Sequence, residues 1–356
     1  MKEHLSKGSY QPKPVKRVWI PKPGSAEKRP LGIPTVNDRI VQAATRMVIE
    51  PIFESRFHPS SYGFRPGRGC KDALREVWRL LKGGHTHVVE IDIRKFFDNI
   101  PQDRLMRRVQ ERIADGRVLR LIEGFLKQGV MDGTSLQEAK EGTPQGGVIS
   151  PLLANIYLDP LDWEMSEAGF KMVRYADDMV VLCQSREEAQ RALDMIGGWM
   201  EQAGLELNRE KSRAVDMSQP GNFFDFLGYR FMLSKTNEMM RLVKPKSKQK
   251  LRSSLKPLVR RCNGKSIEKI CQTINPRLKG WYGYFKNARG TELQSIDQWV
   301  RMRLRSILRQ RIGLRGRGRG NDHHRWPNRY FTAIGLFCLE DAKAAEIASL
   351  RNGVKC

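Results

Sequence analysis

The chain has 356 residues, 40% of them hydrophobic and 29% charged, enough for two or three domains with sizeable cores. No run of about 18 apolar residues is present, which excludes a membrane-spanning helix, and the six scattered cysteines (Cys70, Cys183, Cys262, Cys271, Cys338, Cys356) form no C-x-x-C pair, which argues against a zinc site. The formal net charge of +25 is concentrated: 23 Lys or Arg against three acids (Glu268, Glu292, Asp297) fall between Arg241 and Gly320, a density that selects a polyanion such as nucleic acid.

The opening segment, MKEHLSKGSYQPKP, lacks the apolar core of a signal peptide, so an intracellular, cytoplasmic protein with no membrane partner is expected. Residues 11–40 read as extended segments joined by turns at Pro12, Pro14 and Pro21-Lys-Pro-Gly24, with cations at Lys16, Arg17, Lys22, Lys28, Arg29 and Arg39. That spacing suits a β-ribbon leaning over a phosphate, or an exposed edge guarded by Lys and Pro. From Asn37 the periodicity is helical through Ile40, Ala43, Ala44 and Met47, closing at Pro51. A Gly- and Pro-rich loop, 60–69, leads into a helix with a buried stripe of Cys70, Leu74, Val77 and Leu81, stopped by Gly83-Gly84. The run Val88 to Ile93 is a strand with Glu90 and Asp92 on one face. An acid within an apolar strand is costly unless paired or metal-bound, which singles out Asp92.

Gly142 to Gly147 is a tight loop that places Gln145 within reach of a base or sugar, and Ser150-Pro151 opens a helix to Ala168 with a kink expected at Pro160. Lys171 to Leu182 then reads as a β-hairpin with Asp177 and Asp178 at its turn, either solvated or holding a hard cation such as Mg²⁺. A helix capped by Ser185 and Glu188 runs to Gly204. Short strands are expected at 205–207 and 223–229, with Lys211 between them. These elements make an α+β domain from about 10 to 235. Helices at 253–261, 266–274, 275–285 and 296–312 make a second, basic one, followed by a flexible linker at 315–320 and a terminal segment at 326–350. Trp281, Tyr282, Tyr284 and Phe285, set among the cations, suit stacking on bases or packing in a core.

Asp92 on its strand, Thr143-Pro-Gln-Gly146 and Tyr175-Ala-Asp-Asp178, in that order, resemble a reverse transcriptase of the group II intron maturase family. The likeness extends to Lys28-Arg-Pro-Leu-Gly-Ile-Pro-Thr35, Ser61-Tyr-Gly-Phe-Arg-Pro66, Lys95-Phe-Phe-Asp98, Phe226-Leu-Gly-Tyr229 and Gly280-Trp-Tyr-Gly-Tyr-Phe285. It implies a right-hand polymerase of α+β class: fingers at 1–86, palm at 87–235, an all-α thumb or maturase domain at 236–314, and a basic linker and C-terminal segment at 315–356. It assigns Asp92, Asp177 and Asp178 to a palm site for two Mg²⁺ ions. Lys22, Arg29 and Arg39 would lie over the nucleotide triphosphate, Phe97 would act as a steric gate against a ribose 2′-hydroxyl, and Gln145 would lie against the incoming nucleotide. Lys211 would protonate pyrophosphate, and Phe226, Leu227, Gly228 and Tyr229 would form the primer grip.

The same resemblance implies RNA-directed DNA polymerisation for a mobile group II intron, with intron RNA as template, a DNA or RNA primer and dNTPs as substrates, and help with splicing and retrohoming. The protein would be bacterial and nucleoid-associated when bound to its DNA target. Alternatives are a splicing maturase with little or no polymerase activity, or a domesticated enzyme in DNA repair or defence. Two departures from the family pattern stand out: the block that usually precedes the fingers motifs is not recognisable, and no His/Cys nuclease module follows the thumb. DNA cleavage is therefore not expected to be its own activity.

Overall fold

The computed structural model describes residues 2–21, 28–137 and 141–353. It divides into two compact units, residues 1–227 and 228–356. Lys22 lies outside the described residues.

The first unit opens with a short helix, α1 (Lys2–Ser6), and the antiparallel ribbon of β1 (Val15–Pro21) and β2 (Lys28–Ile33). Thr35 caps α2 (Val36–Glu54): its Oγ1 accepts the Asp38 N–H at 3.2 Å and donates to the Asp38 carboxylate at 2.5 Å. The apolar stripe that marks this helix in the sequence is not its buried face. Met47 is 75% exposed, whereas Val41, Ile49 and Phe53 pack inward. After α3 (Cys70–Lys82) come β3 (His87–Ile91), α4 (Phe96–Asn99), α5 (Gln102–Gln110) and α6 (Gly116–Lys127). The sequence reading passes over α5 and α6, because α5 carries only Leu105, Met106 and Val109 among arginines and α6 holds Gly116 and Gly124, weak helix formers. Strands β4 (Val130–Asp132) and β5 (Ser135–Gln137) extend the first ribbon into a sheet of order β2-β1-β4-β5.

Helix α7 (Ser150–Glu167) runs unbroken through Pro160 and leads into β6 (Lys171–Tyr175) and β7 (Asp178–Cys183). Then follow α8 (Arg186–Gln202), capped by Ser185, β8 (Arg213–Asp216) and β9 (Phe223–Phe226). The expected strand at 205–207 is reduced to a single bridge between Leu207 and Ile93. Leu205 is used instead to close α8: its N–H returns to the Met200 carbonyl at 2.8 Å and that of Gly204 to Glu201 at 3.0 Å. The strand beside β3 is β8, giving an antiparallel sheet of order β6-β7-β3-β8. Val89, Ile91, Met179 and Val181 from this sheet share one core with Leu105, Phe125, Tyr157, Leu161, Ile196 and Met200 from the helices. Each such side chain, fully buried, contributes about 1.5–3 kcal/mol.

The second unit begins with the hairpin of β10 (Tyr229–Leu233) and β11 (Met239–Val243) and is otherwise helical: α9 (Pro245–Leu255), α10 (Ile267–Phe285), α11 (Gly290–Arg311), α12 (Asp322–Arg325), α13 (Asn328–Ala333) and α14 (Leu339–Gly353). The helix break expected at Asn275-Pro276 is absent. Asn275 spends its amide on the loop before α14, donating to the Gly335 carbonyl at 2.7 Å and accepting the Phe337 N–H at 2.9 Å. Residues 253–261 are not one helix, since α9 ends at Leu255. The expected linker at 315–320 is docked: Arg309 donates to the Arg315 carbonyl at 2.9 Å, and a Cβ on Gly318 would lie 2.6 Å from that of Arg305. Among the described residues no helix is long and apolar enough to cross a membrane.

One carboxylate in α7 makes the first unit pH-sensitive. Asp159 accepts the His58 N–H at 3.0 Å, and burial lifts its pKa to about 6 despite that bond. The folded state therefore holds this proton more tightly than the unfolded chain. Its contribution to stability is present at low pH and is lost as pH rises through about 6. Asp159→Asn keeps the acceptor and removes the titration. Between pH 5 and pH 7.5 the unfolding free energy of the natural chain is expected to fall by about 1 kcal/mol relative to the variant, after discounting for residual solvent contact, as read from urea titrations at the two pH values.

Candidate active site

The register pairing Ile91 with Met179 brings Asp92 to the level of Asp178 at one end of the sheet, with Asp177 in the β6–β7 turn. That turn has two central residues, Ala176 and Asp177, between the paired Tyr175 and Asp178, and Ala176 adopts φ +57°. A positive φ at the first central position is the primed geometry whose twist matches that of the strands, adopted here without the usual glycine. Asp178 is exposed and Asp177 half-buried. Burial and a hydrogen bond with Cys70 push the neighbouring Tyr175 phenol up to about 12.

Asp92 is held in place by the segment after α8. Its Oδ2 accepts from Asn208 Nδ2 at 2.9 Å and from Lys211 Nζ at 3.4 Å, and its backbone N–H donates to Ser212 Oγ at 3.1 Å. Lys211 thus makes an ion pair with Asp92, with both side chains well solvated. Asn208 and Ser212 were not singled out from the sequence, although they flank Lys211. Glu90, on the same face of β3, is structural: it pairs with Arg213 at 2.7 Å and accepts the Asp225 N–H of β9 at 2.9 Å.

Beyond β3 the chain reverses at Lys95, which takes a left-handed conformation (φ +46°) as it enters α4. Phe96 is then buried and Phe97 half-buried, their rings 5.3 Å apart. The Phe97 carbonyl accepts the Thr143 N–H at 2.7 Å, so α4 carries the glycine loop. Gln145 donates to Asp98 at 2.9 Å through its side chain and accepts the Gly32 N–H of β2 at 2.7 Å through its carbonyl. Phe97 and Gln145 consequently line one cavity of about 390 Å³ together with Arg17, Pro30 and Gly32. Arg29 sits in β2 opposite Ile20, and Arg39 is exposed on the first turn of α2, apart from the residues lining that cavity.

Phe226 ends β9 with its ring buried, and Leu227 follows at φ +47°. In the second unit Gly228 has φ +80°, and Tyr229 is buried and donates to the Tyr284 carbonyl at 2.7 Å. The two aromatic rings of Phe226-Leu-Gly-Tyr229 are therefore core, and its exposed surface comes from Leu227 and Gly228. Trp281 and Tyr282 pack against the second unit's core, with Trp281 4.8 Å from the buried Phe285, which favours the core reading of this cluster over base stacking.

Residues 20–231 match the sequence model of the reverse transcriptase (RNA-dependent DNA polymerase) family. The chain belongs to that family. Residues 248–326 match the maturase-specific domain of group II introns, so this reverse transcriptase carries its maturase domain in the second unit. Its enzyme class is RNA-directed DNA polymerase, a nucleotidyltransferase. It is 35% identical over 293 residues to protein YkfC of Escherichia coli, covering 71% of this chain and 76% of that protein. To the group II intron-encoded protein LtrA of Lactococcus lactis it is 41% identical over 178 residues, covering 50% of this chain but 30% of LtrA. The fold resembles the telomerase of Candida albicans solved with a fragment of telomeric RNA, at TM-score 0.51 and 13% identity over 87% of this chain and 61% of that one.

The reverse transcriptase's glycine loop leaves no room for a side chain at Gly142. Gly142 has φ +79°, and a Cβ there would lie 2.6 Å from the carbonyl oxygens of both Phe97 and Asp98. Gly142→Ala is expected to cost about 2–4 kcal/mol, from backbone strain and overpacking together, measured as a lowered denaturant midpoint.

Proposed function

We propose that Asp92, Asp177 and Asp178 form the polymerase centre and hold two Mg²⁺ ions, and that the enzyme copies intron RNA from a DNA or RNA primer and binds that RNA to assist splicing and retrohoming. The observation that carries this reading is the β3–β7 register, which delivers Asp92 and Asp178 to the same sheet end as the Asp177 turn. The donor set fits the ion. Mg²⁺ takes hard oxygen ligands, usually one or two carboxylates, with substrate phosphates and water supplying the rest. Among the described residues no group of three His, Cys, Asp or Glu side chains is placed to hold a metal by itself, so the reading rests on the register and the donor chemistry. When bound, the ions would polarise the primer hydroxyl and offset charge on the departing pyrophosphate.

The chain's own groups do the positioning. Asn208 and Lys211 fix one Asp92 oxygen, and Lys211 would protonate the leaving pyrophosphate. Asp98 anchors the Gln145 amide so that the loop presents a fixed face to the nucleotide. Phe97 beside it gates the sugar, and the family resemblance assigns Lys22, Arg29 and Arg39 to the triphosphate and Phe226, Leu227, Gly228 and Tyr229 to the primer.

Primer extension on an RNA template with dNTPs and Mg²⁺ tests the assignment. Asp177→Ala is expected to lower the rate by more than about 10³-fold at an unchanged melting temperature, and equal rates would overturn it. Phe97→Ala is expected to relax discrimination against ribonucleotides by about 10–200-fold, the range for a one-methylene difference of fit in a pocket, read as the ratio of kcat/KM for dNTP and rNTP. A separate splicing role is favoured by the basic second unit, whose exposed Arg315, Arg317 and Arg319 can neutralise phosphate. Splicing stimulation is expected to survive Asp177→Ala and to be lost when these three arginines become glutamine.

A further inference from the structure

The β6–β7 turn is held from beneath by a side chain that no exposed feature announces. Arg174, on β6, is wholly buried, and so is the Asp162 carboxylate it faces on α7. Arg174 Nε donates to both Asp162 oxygens, at 2.8 and 3.0 Å, and Nη2 donates to Oδ2. Its remaining nitrogen, Nη1, donates to Asn155 Oδ1 and to the Ala176 carbonyl, each at 3.0 Å. Asn155 in turn donates to the Gly63 carbonyl at 2.7 Å. Gly63 packs directly against the turn, since a Cβ there would lie 2.3 Å from the Ala176 nitrogen.

A buried ion pair is a poor way to stabilise a core. Desolvating both charges offsets most of their attraction, and well-packed apolar replacements of similar volume are often neutral or better. The pair is therefore more informative for what it aims at. The carbonyl it grips belongs to the peptide joining Ala176 to Asp177. Rotation of that peptide moves ψ of Ala176 and φ of Asp177 together, and so redirects the Asp177 side chain. Ala176 is already in a left-handed conformation that costs an L-residue energy and persists only where its surroundings over-determine it. Arg174 at the Ala176 carbonyl and Gly63 at its nitrogen supply that constraint. Asn155 and Asp162 are seven residues apart, two turns, on one face of α7, the helix that follows the Gln145 loop.

We propose that Arg174 is a positioning residue, which with Asp162 and Asn155 locks the Ala176–Asp177 peptide and so sets the direction of the Asp177 carboxylate. The consequence for rate rests on the reading that Asp177 is catalytic. The lock itself does not.

Removing Arg174 alone strands a buried carboxylate, so the informative variant is the paired replacement Arg174→Met with Asp162→Leu, in the full chain. It should keep the denaturant midpoint and the affinity for a template–primer duplex, the latter measured by fluorescence anisotropy. Amide hydrogen exchange in the peptide spanning 175–179 should quicken, and kcat in single-nucleotide extension should fall by about 10²-fold with little change in KM, the scale of a small misplacement of reacting groups. Arg174→Lys, which cannot reach all three partners, should show the same faster exchange. Unchanged exchange in a folded double variant would overturn the lock, and faster exchange with unchanged kcat would overturn its bearing on rate. If exchange quickens but the natural chain shows no Asp177-dependent extension, the lock stands and the catalytic reading of Asp177 falls.

Discussion

Everything in the candidate site depends on the registration of β3 against its neighbours, and apolar alternation alone does not supply it. Five successive residues of β7, Met179 to Cys183, are buried, so the strand is covered on both faces and a slip by one residue would exchange one apolar set for another. On the other side of β3, against β8, Glu90 removes the corresponding freedom. It stands directly opposite Arg213 in the β3–β8 pair, bonds it at 2.7 Å, and also accepts the Asp225 N–H of β9. A displaced register would leave this half-buried carboxylate without its partners, at a cost of order 1–3 kcal/mol for each unmet bond. The acid that shares a strand face with Asp92 is thus the one that ties β3 to β8.

A division of labour among polar groups follows. The carboxylates at the sheet end stay partly solvated, while Asp162 and Glu90 behind them are engaged by protein. Both are partnered by arginine, Asp162 by Arg174 and Glu90 by Arg213. Arginine suits this role because its planar fork can bond a carboxylate and a carbonyl at once, and the second bond reaches the backbone that carries the site.

How much of this was legible in the sequence follows from the range of the interactions. Asp92, Asp177 and Asp178 stood out because acids interrupt apolar strands, a purely local conflict, and Ser185 was legible as a cap for the same reason. Arg174 sits two residues before Ala176 in the same stretch, yet its role depends on Asp162 and Asn155 on a preceding helix, and nothing local separates it from a surface arginine. Asn208 lies 116 residues from the Asp92 it holds. The errors have local causes too: Asn275-Pro276 carries the usual helix-stop chemistry but directs it to a loop, and the Arg-Gly repeat has linker composition, although Gly318 is needed for close contact with Arg305.

The same contrast limits what charge counting says about RNA. The 23 basic residues between Arg241 and Gly320 are not all available to phosphate. Arg301 and Arg305 are 7% and 3% exposed, and Arg305 bonds the Trp326 carbonyl and Asn328. Arg309 pairs with Asp322, while Arg303 and Arg311 bond carbonyls of the segment between α9 and α10. These guanidiniums hold loops onto α11. Those left exposed include Lys246, Lys250, Arg260, Arg261, Lys265 and the arginines of the docked 315–320 loop. Because counterion release scales with the phosphates actually neutralised, the salt dependence of RNA binding should follow this exposed subset rather than the net charge. Anchoring the loop adds to this: cations fixed to a folded surface lose less conformational freedom on meeting RNA than the same cations on a flexible linker.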